Sequence, residues 1–246
     1  MIKMSSSQPP PLNLVLDIDG TLIADISLFT VSYNIIKDIP RNTKLMNRLK
    51  SAIVAALKNG LMRPHLPQFF RYAKRRYDIK LFIYTASTYE WAHFLVPCIE
   101  KALGITFERP LYTRDDCTTN SMLKDLSFVS KSVGNDTTPI IMIDNNKTLF
   151  KKHDKKRLIK CPTYNFKYYF NPISIFTYSE LVSHFRYIKT VLKTHNMRVS
   201  ANDPEELYRY CQAVTIEYFI KAPESTISDT FFNQKSISKK LFKMLK

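Results

Sequence analysis

The stretch LNLVLDIDGTLI, residues 12–23, decides the fold class of this chain. It opens on a continuous apolar run, 12–18, which is typical of a strand buried on both faces of a parallel sheet. Two acids, Asp17 and Asp19, stand at the end of that run, immediately before a Gly-Thr pair. By itself the pair fits a reaction centre or a polar strand-end turn, so the later strands must decide between the two.

Outside this stretch, short apolar runs alternate with amphipathic segments. The pattern predicts strands at 79–85 and 139–144 and helices at 43–60, 66–78, 87–104, 123–134, 179–195 and 203–220. Residues 24–42 are predicted to be irregular, and the basic run 151–160 to be a solvated loop. Strands alternating with helices predict right-handed βαβ units, and therefore a three-layer, Rossmann-like α/β fold with a mostly parallel sheet.

The sequence pattern predicts three parts of the chain. Residues 1–11 form a flexible tail, 12–195 a catalytic domain with an insert at about 24–62, and 196–246 a helical basic extension. The last residues of that extension, SISKKLFKMLK, fit a basic amphipathic helix for an acidic partner or a frayed tail, and we favour the frayed tail.

The composition limits the cellular compartments and the kinds of partner that we expect for the protein. The chain has 246 residues with 37 Lys and Arg against 21 Asp and Glu, a formal charge of +16. That excess favours an anionic partner such as nucleic acid or a phosphoprotein, although a lysine-rich solvated surface also explains it. The 4 cysteines lack metal-site spacing, and we find no apolar leader or membrane-length run. We therefore expect a soluble intracellular protein of cytoplasm or nucleus, without a membrane partner.

Three of the predicted strands end in polar residues suited to phosphate chemistry. The first ends at Asp17 and Asp19, the second at Thr85, and the third at Asp144 followed by Asn145. Ligands of open α/β sheets bind at the carboxyl ends of the strands, so these side chains are expected to converge there. Lys124 lies between the second and third strands in the chain.

This set predicts phosphoryl transfer through an aspartyl-phosphate. Asp17 is the candidate nucleophile and Asp19 the candidate acid and base, reoriented by a sharp turn at the following glycine. Thr21 is expected to bind a phosphate oxygen or to hold Asp19, whereas Thr85 and Lys124 would neutralise the charge of the transferring phosphoryl group. Asp144 and Asn145 offer hard oxygen ligands for Mg²⁺.

The segments DIDGT, YTAS, LKDLS and IDNN resemble the four motifs of the haloacid dehalogenase superfamily. Within it, the chain is most similar to the phosphatases of the RNA polymerase II C-terminal domain (CTD), the small CTD phosphatase or NLI-interacting-factor group. The segments RPHLPQFF (63–70), YTASTYEWA (84–92), LYTRDDC (111–117) and IMIDNN (141–146) also resemble that family, in the same order. The resemblance covers about residues 10–190.

The resemblance implies a role for each motif residue. Asp17 would accept the phosphoryl group and Asp19 would be the acid and base. Mg²⁺ would be held by Asn145, Asp17 and the Asp19 carbonyl, with Asp144 close by. The resemblance further implies the phosphate- and substrate-binding residues Thr21, Thr85, Ala86, Ser87, Arg114 and Lys124. The implied substrate is a protein carrying phosphoserine or phosphothreonine, such as the polymerase CTD.

The chain departs from the family pattern at several positions. Gly20 stands where the family usually has glutamate, and Lys147 replaces a common proline. The insert of about 40 residues before RPH would alter substrate access. Two alternatives therefore stay open: a phosphatase of the same superfamily for a nucleotide or a nucleic-acid end, and a non-catalytic basic nucleic-acid-binding or scaffold protein.

Overall fold

The computed structural model describes residues 9–118, 123–134, 137–197, 201–209, 229–233, 237, 240–241 and 244–245. The strands are β1 (Pro11–Leu16), β2 (Asp78–Ile83), β3 (Ile140–Asp144) and β4 (Leu158–Lys160). The helices are α1 (Ser27–Lys37), α2 (Thr43–Ala56), α3 (Leu66–Arg76), α4 (Tyr89–Leu103), α5 (Ser127–Ser132) and α6 (Tyr178–Thr194). Short 3₁₀ turns lie at Arg114–Asp116, Lys147–Leu149 and Lys155–Arg157, and one π-helical turn at Leu57–Leu61.

The strands form one parallel sheet in the order β2-β1-β3-β4. In the centre of the sheet, Leu14 pairs with Leu81 of β2 on one side and with Ile141 of β3 on the other. Residues 12–16 of β1 are all buried, as the continuous apolar run predicts. The predicted α/β class and its parallel sheet are confirmed.

The strand order also separates the helices into two layers. The chain moves from β1 to β2 in one direction and then crosses back past β1 to β3. Because parallel crossovers are right-handed, helices on these two connections cover opposite faces of the sheet. Helix α3 therefore covers one face, and α4 and α5 the other. The reversal of direction occurs between β1 and β3, so it opens a crevice at their carboxyl ends.

Two predictions of local structure were wrong. Residues 24–42 contain helix α1, and the run 151–160 ends in strand β4. Helix α1 has no side-chain N-cap and no acid in its first turn, and its four β-branched residues weaken helix propensity. It is stabilised instead by burial, with Phe29 stacked on Phe170 at 3.9 Å. Strand β4 is only three residues long, pairs on one side alone and follows exposed basic residues, so no apolar pattern marks it.

The other predicted helices form with shifted ends. Helix α4 runs through Pro97 and ends at Gly104, which adopts the left-handed conformation with φ 66°. Helix α5 begins only at Ser127, so Lys124 precedes it rather than belonging to it. The predicted helix 203–220 is helical at 204–209, and its remainder lies outside the described residues.

The chain divides into two compact units. One comprises residues 1–24, 62–165 and 228–246 and contains the sheet, whereas the other comprises 25–61 and 166–227. The domain boundaries predicted from the sequence group these segments differently and stay a prediction. At the C-terminus, the described residues Ile237, Lys240, Leu241 and Met244 are helical. The side chains of Ile237 and Leu241 are fully buried, so the frayed tail that we favoured is wrong for these residues.

Candidate active site

The site begins where β1 ends, at the crevice between β1 and β3. Asp17 directly follows β1, and its backbone N–H donates to the Ile143 carbonyl of β3 at 3.1 Å. Asp144 is the last residue of β3. The parallel register therefore brings these two carboxylates to the same edge of the sheet, as the motif order predicts.

A buried lysine joins the two carboxylates. Lys124 Nζ donates to Asp17 Oδ1 and to Asp144 Oδ2, each at 2.7 Å. The side chains of Lys124 and Asp144 are each 1% exposed, and that of Asp17 is 8% exposed. Within the described part of the chain, Asp17 Oδ2 makes no hydrogen bond, so one oxygen of Asp17 is held while the other is available for reaction.

Burial and charge act together in this cluster. Burial alone would lower the pKa of the Lys124 ammonium, but Asp17 and Asp144 raise it above its usual value. Burial and the Asp17 carboxylate raise the pKa of the Asp144 carboxyl to about 6, and Lys124 opposes that rise. Lys124 is therefore a fixed positive charge at neutral pH, in a region where solvent screens it weakly.

The lysine is held by its backbone as well as by its charge. Its N–H donates to the Leu149 carbonyl at 2.8 Å, and it forms a parallel bridge with Phe150, which follows the 3₁₀ turn after β3. Tyr84, at the end of β2, accepts a hydrogen bond from the Asp125 N–H at 3.1 Å. Tyr84 was not among the predicted site residues, because an aromatic residue in an apolar strand carries no functional signal.

The turn after Asp17 separates it from Asp19. Gly20 adopts φ 72°, and the N–H groups of residues 21–23 all donate to the Ile18 carbonyl. This tight turn leaves Asp19 exposed while Asp17 stays buried. Ser87, after β2, donates from Oγ to Asp19 Oδ2 at 2.9 Å. Ser87, predicted to bind substrate, therefore also orients the candidate acid and base.

Thr21 and Asn145 form a second contact across the crevice. The Asn145 N–H donates to Thr21 Oγ1 at 3.0 Å, and Thr21 Oγ1 donates to Asn145 Oδ1 at 3.2 Å. Asn145 Nδ2 donates to Thr163 Oγ1 at 3.0 Å. Thr163 was missed because it follows β4, a strand that the sequence does not reveal. These bonds orient the amide oxygen of Asn145.

The loop after β2 supplies the remaining predicted residues. Thr85 is fully buried, and its Oγ1 accepts from the Ser87 N–H at 3.2 Å. The carbonyl of Ala86 accepts from Arg114 Nε at 2.9 Å, and the Ser87 carbonyl accepts from the Arg114 N–H at 2.9 Å. The guanidinium of Arg114 is therefore held at the exposed edge of this loop. Such a position suits contact with a phosphorylated substrate.

The oxygen donors of the crevice suit a hard cation. Carboxylate oxygens of Asp17, the amide oxygen of Asn145 and backbone carbonyls are the ligand types that Mg²⁺ prefers. Both oxygens of Asp144 already accept hydrogen bonds, Oδ1 from the Asn146 N–H at 2.6 Å and Oδ2 from Lys124. These contacts favour a supporting role for Asp144, and its place among the metal ligands stays a prediction.

A second acidic group lies beside the site. Ligand atoms of Asp125, His153 and Asp154 lie within 4.8 Å of one another. Asp125 is paired with the Lys151 ammonium, and Asp154 lies 3.8 Å from Arg157 Nη1. Asp154 Oδ2 also accepts from the Leu126 N–H at 3.1 Å. Because neighbouring cations already balance these carboxylates, the group reads as a support for the loop that carries Lys124.

The fold is built on a parallel sheet, and acidic, amide and lysine side chains gather at its switch point. These features define the class of the protein as a phosphatase-like α/β fold of the haloacid dehalogenase type. The chain belongs to the NLI interacting factor-like phosphatase family, whose model matches residues 12–198. The resemblance predicted from the motifs is thereby confirmed.

Comparison with other proteins adds two similar structures. The structure of Fcp1, an essential RNA polymerase II CTD phosphatase, is 18% identical with a TM-score of 0.40, covering 89% of this chain and 67% of that one. The structure of fission yeast RNA polymerase II CTD phosphatase Fcp1 with an arginine replaced by alanine, bound to beryllium fluoride, is 16% identical with a TM-score of 0.39. This match covers 94% of this chain and 66% of that one. No relative among curated proteins matches the chain. Among its described residues, no helix is long and apolar enough to cross a membrane.

Proposed function

We propose that this protein is a Mg²⁺-dependent phosphatase that hydrolyses phosphoserine and phosphothreonine in proteins, such as the polymerase CTD, through an aspartyl-phosphate. The observation that carries the proposal is the buried Lys124, which holds one oxygen of Asp17 at the crevice between β1 and β3. Family membership supports the phosphatase class, and the implied Arg114 position supports a phosphorylated protein as substrate.

The first half of the reaction needs a nucleophile and an acid. Asp17 Oδ2 attacks phosphorus, so that an oxygen–phosphorus bond forms while the bond to the seryl or threonyl oxygen breaks. Asp19, exposed and oriented by Ser87, gives its proton to that leaving oxygen. Lys124 and the loop 85–87 stabilise the charge on the phosphoryl oxygens. Mg²⁺ held by Asp17, Asn145 and the Asp19 carbonyl would reduce the repulsion between nucleophile and phosphate.

The second half regenerates the enzyme. Asp19, now a carboxylate, takes a proton from water, whose oxygen attacks phosphorus. The bond between phosphorus and Asp17 breaks, inorganic phosphate leaves, and both aspartates return to their starting protonation states. One carboxyl therefore acts as acid and then as base, which requires that it reach both the leaving oxygen and water. The exposure of Asp19 meets that requirement, whereas the buried Asp17 does not.

The proposal is tested with Asp17→Asn, which keeps the shape of the side chain and removes the nucleophilic oxygen. We expect turnover of phosphoserine and phosphothreonine peptides to fall by about 10³-fold or more. Wild-type turnover should stop with EDTA and return with Mg²⁺. Glu205→Gln, which breaks an exposed ion pair with Arg209, is the matched control and should keep full activity.

The same assay separates the alternatives. Equal activity of Asp17→Asn and wild type would contradict the assignment of Asp17 as the nucleophile. Faster turnover of nucleotides or 3′-phosphate ends than of phosphopeptides would identify a nucleotide or a nucleic-acid end as the substrate. Salt-sensitive binding of RNA or DNA, without turnover of any phosphate ester, would identify a non-catalytic binding protein.

A further inference from the structure

A buried arginine supports the turn that separates Asp17 from Asp19. The Arg63 side chain is 0% exposed. Its Nη1 donates to the carbonyls of Gly20 and Thr21, at 3.4 and 3.2 Å. Its backbone N–H donates to the Leu22 carbonyl at 2.9 Å. Arg63 therefore contacts three consecutive carbonyls of the turn directly after Asp19.

The charge of this arginine is balanced from the far end of the chain. Arg63 Nη2 donates to Asp229 Oδ2 at 2.7 Å and to the Pro162 carbonyl at 2.9 Å. Asp229 is the one carboxylate in an ion pair with Arg63 among the described residues. The rings of Tyr164, Phe231 and Phe232 lie around the guanidinium, with centroids at 5.6, 5.1 and 5.7 Å.

The segment that carries Asp229 is itself anchored. Asp229 Oδ1 accepts from the Phe231 N–H at 3.0 Å, which orients the carboxylate. Phe232 is fully buried, and its ring centroid lies 5.0 Å from that of Phe69 in α3. All of these residues belong to the compact unit that contains the sheet. The C-terminal segment is thus packed against α3, the helix that follows Arg63 in the chain.

We propose that Asp229 is a positioning residue for the candidate acid and base Asp19, acting through Arg63 and the carbonyls of Gly20 and Thr21. The inference rests on the proposed phosphatase function. A buried guanidinium keeps its place only when a counter-charge and hydrogen bonds replace its lost hydration. Without Asp229, Arg63 moves toward solvent or draws in water, and the turn that directs Asp19 loses its support.

The chemistry of proton transfer makes this role measurable. A seryl oxygen must be protonated as it leaves, whereas a nitrophenolate leaves without protonation. A misdirected Asp19 therefore slows the release of serine far more than the release of nitrophenol. A general loss of folded protein lowers both rates equally.

The experiment compares Asp229→Ala, Asp229→Asn and Asp229→Glu in the full chain. With a phosphoserine peptide, we expect kcat/KM of Asp229→Ala, which depends only on the steps up to the departure of serine, to fall by about 10²-fold, since small displacements of a catalytic group have effects of this size. With p-nitrophenyl phosphate, we expect a loss of kcat/KM below about fivefold, because nitrophenolate leaves without a proton. Hydrolysis of the aspartyl-phosphate also uses Asp19, but it is common to both substrates and does not enter kcat/KM. Asp229→Glu should restore part of the activity. Asp229→Asn keeps an acceptor for Phe231 and serves if the alanine variant does not fold.

Hydrogen exchange provides a readout that does not need activity. Amides of residues 20–23 are bonded within the turn, so in Asp229→Asn a peptide spanning 17–24 should exchange about tenfold faster than in wild type. Unchanged exchange there would overturn the coupling between Asp229 and the turn, even if the wild type had no turnover. Equal losses of kcat/KM on both substrates would overturn the role in protonating the leaving group, whereas an inactive wild type with faster exchange in the variant would contradict the phosphatase function alone.

Discussion

Gly20 is one of the residues at which the chain departs from its family pattern, and the site leaves no room for a side chain there. Its φ of 72° lies in the left-handed region, where a side chain is strained. A Cβ at this position would lie 2.7 Å from Asn145 Nδ2 and 3.0 Å from Thr163 Cγ2. Any larger residue must therefore displace the amide that is proposed to bind the metal. The absence of a side chain at Gly20 therefore leaves the space for the Asn145 amide, which is held by Thr163.

We predict that Gly20→Ala loses stability and activity together. The backbone strain lowers the free energy of unfolding by about 1 kcal/mol. The displaced Asn145 lowers kcat/KM on a phosphopeptide by about 10²-fold, because a metal ligand and the turn to Asp19 move together. Denaturant unfolding and steady-state kinetics measure the two effects separately.

Gly104→Ala is the matched control for that variant. Gly104 has nearly the same φ, 66°, but a Cβ there would meet nothing within 4 Å. It should lose a similar amount of stability, about 1 kcal/mol, and keep its activity. If the two variants lost the same activity, the contact with Asn145 would have no part in the reaction.

At the scale of elements, two carboxylates organise the segment between Lys124 and α5. Asp125 Oδ1 accepts from the Ser127 N–H at 2.9 Å and its other oxygen pairs with Lys151, whereas Asp154 accepts from the Leu126 N–H. Burial would raise the pKa of Asp125, but the Lys151 ammonium and the hydrogen bonds from Ser127 lower it to about 2. The helix start and the position of Lys124 thus depend on one local network.

The depressed pKa of Asp125 predicts an acid-sensitive contribution to stability. A carboxyl whose pKa is lower in the folded than in the unfolded state stabilises fully above its unfolded pKa, and the effect is lost as pH falls through the folded pKa. A shift from 3.8 to about 2 corresponds to about 2 kcal/mol, of which about half is lost between pH 5 and pH 3. Urea unfolding at these two pH values should show that loss in wild type.

Asp125→Asn removes the titrating group and tests this assignment. Its free energy of unfolding should fall between pH 5 and pH 3 by about 1 kcal/mol less than that of wild type. Glu205→Gln, which changes an exposed carboxyl paired with Arg209, should follow the wild-type curve. Parallel curves for Asp125→Asn and wild type would mean that the pair with Lys151 has no effect on stability.

At the scale of the whole molecule, the charge of +16 is expected to affect the binding of charged substrates. Part of this charge is displayed openly, since the last turn of α3 carries three exposed cations, Lys74, Arg75 and Arg76. A surface of this sign attracts peptides that carry several phosphates, and salt screens the attraction. The buried charge of Lys124 is screened far less.

We therefore predict that salt acts on binding more than on chemistry. Between about 50 and 300 mM NaCl, kcat/KM on a multiply phosphorylated peptide should fall by about fivefold or more. The loss on p-nitrophenyl phosphate, a small ester, should be below about twofold. Both are measured at one Mg²⁺ concentration with a singly phosphorylated peptide as control. Equal salt effects on all three substrates would show that the surface charge does not steer the substrate.

Local features of the sequence determined the class of the fold and which strand-end residues meet at its centre. A continuous apolar run specifies a strand buried on both faces, and polar residues after such runs converge wherever parallel strands end. The predicted β1, β2 and β3 and the proximity of Asp17 and Asp144 follow from that rule, whereas the contact of both carboxylates with Lys124 does not, because Lys124 lies outside the strands. The fold class and the family are confirmed, whereas the roles of these residues stay proposals.

Only the tertiary structure decided which distant residues support the site. Arg63 and Asp229 are 166 positions apart, and Thr163 reaches Asn145 from a loop after β4, the short strand without an apolar pattern. Helix α1 was missed for a related reason, because packing rather than propensity stabilises it. A contact between distant segments depends on the packing of everything between them. No window of sequence contains that information, and it exists only once the chain has folded.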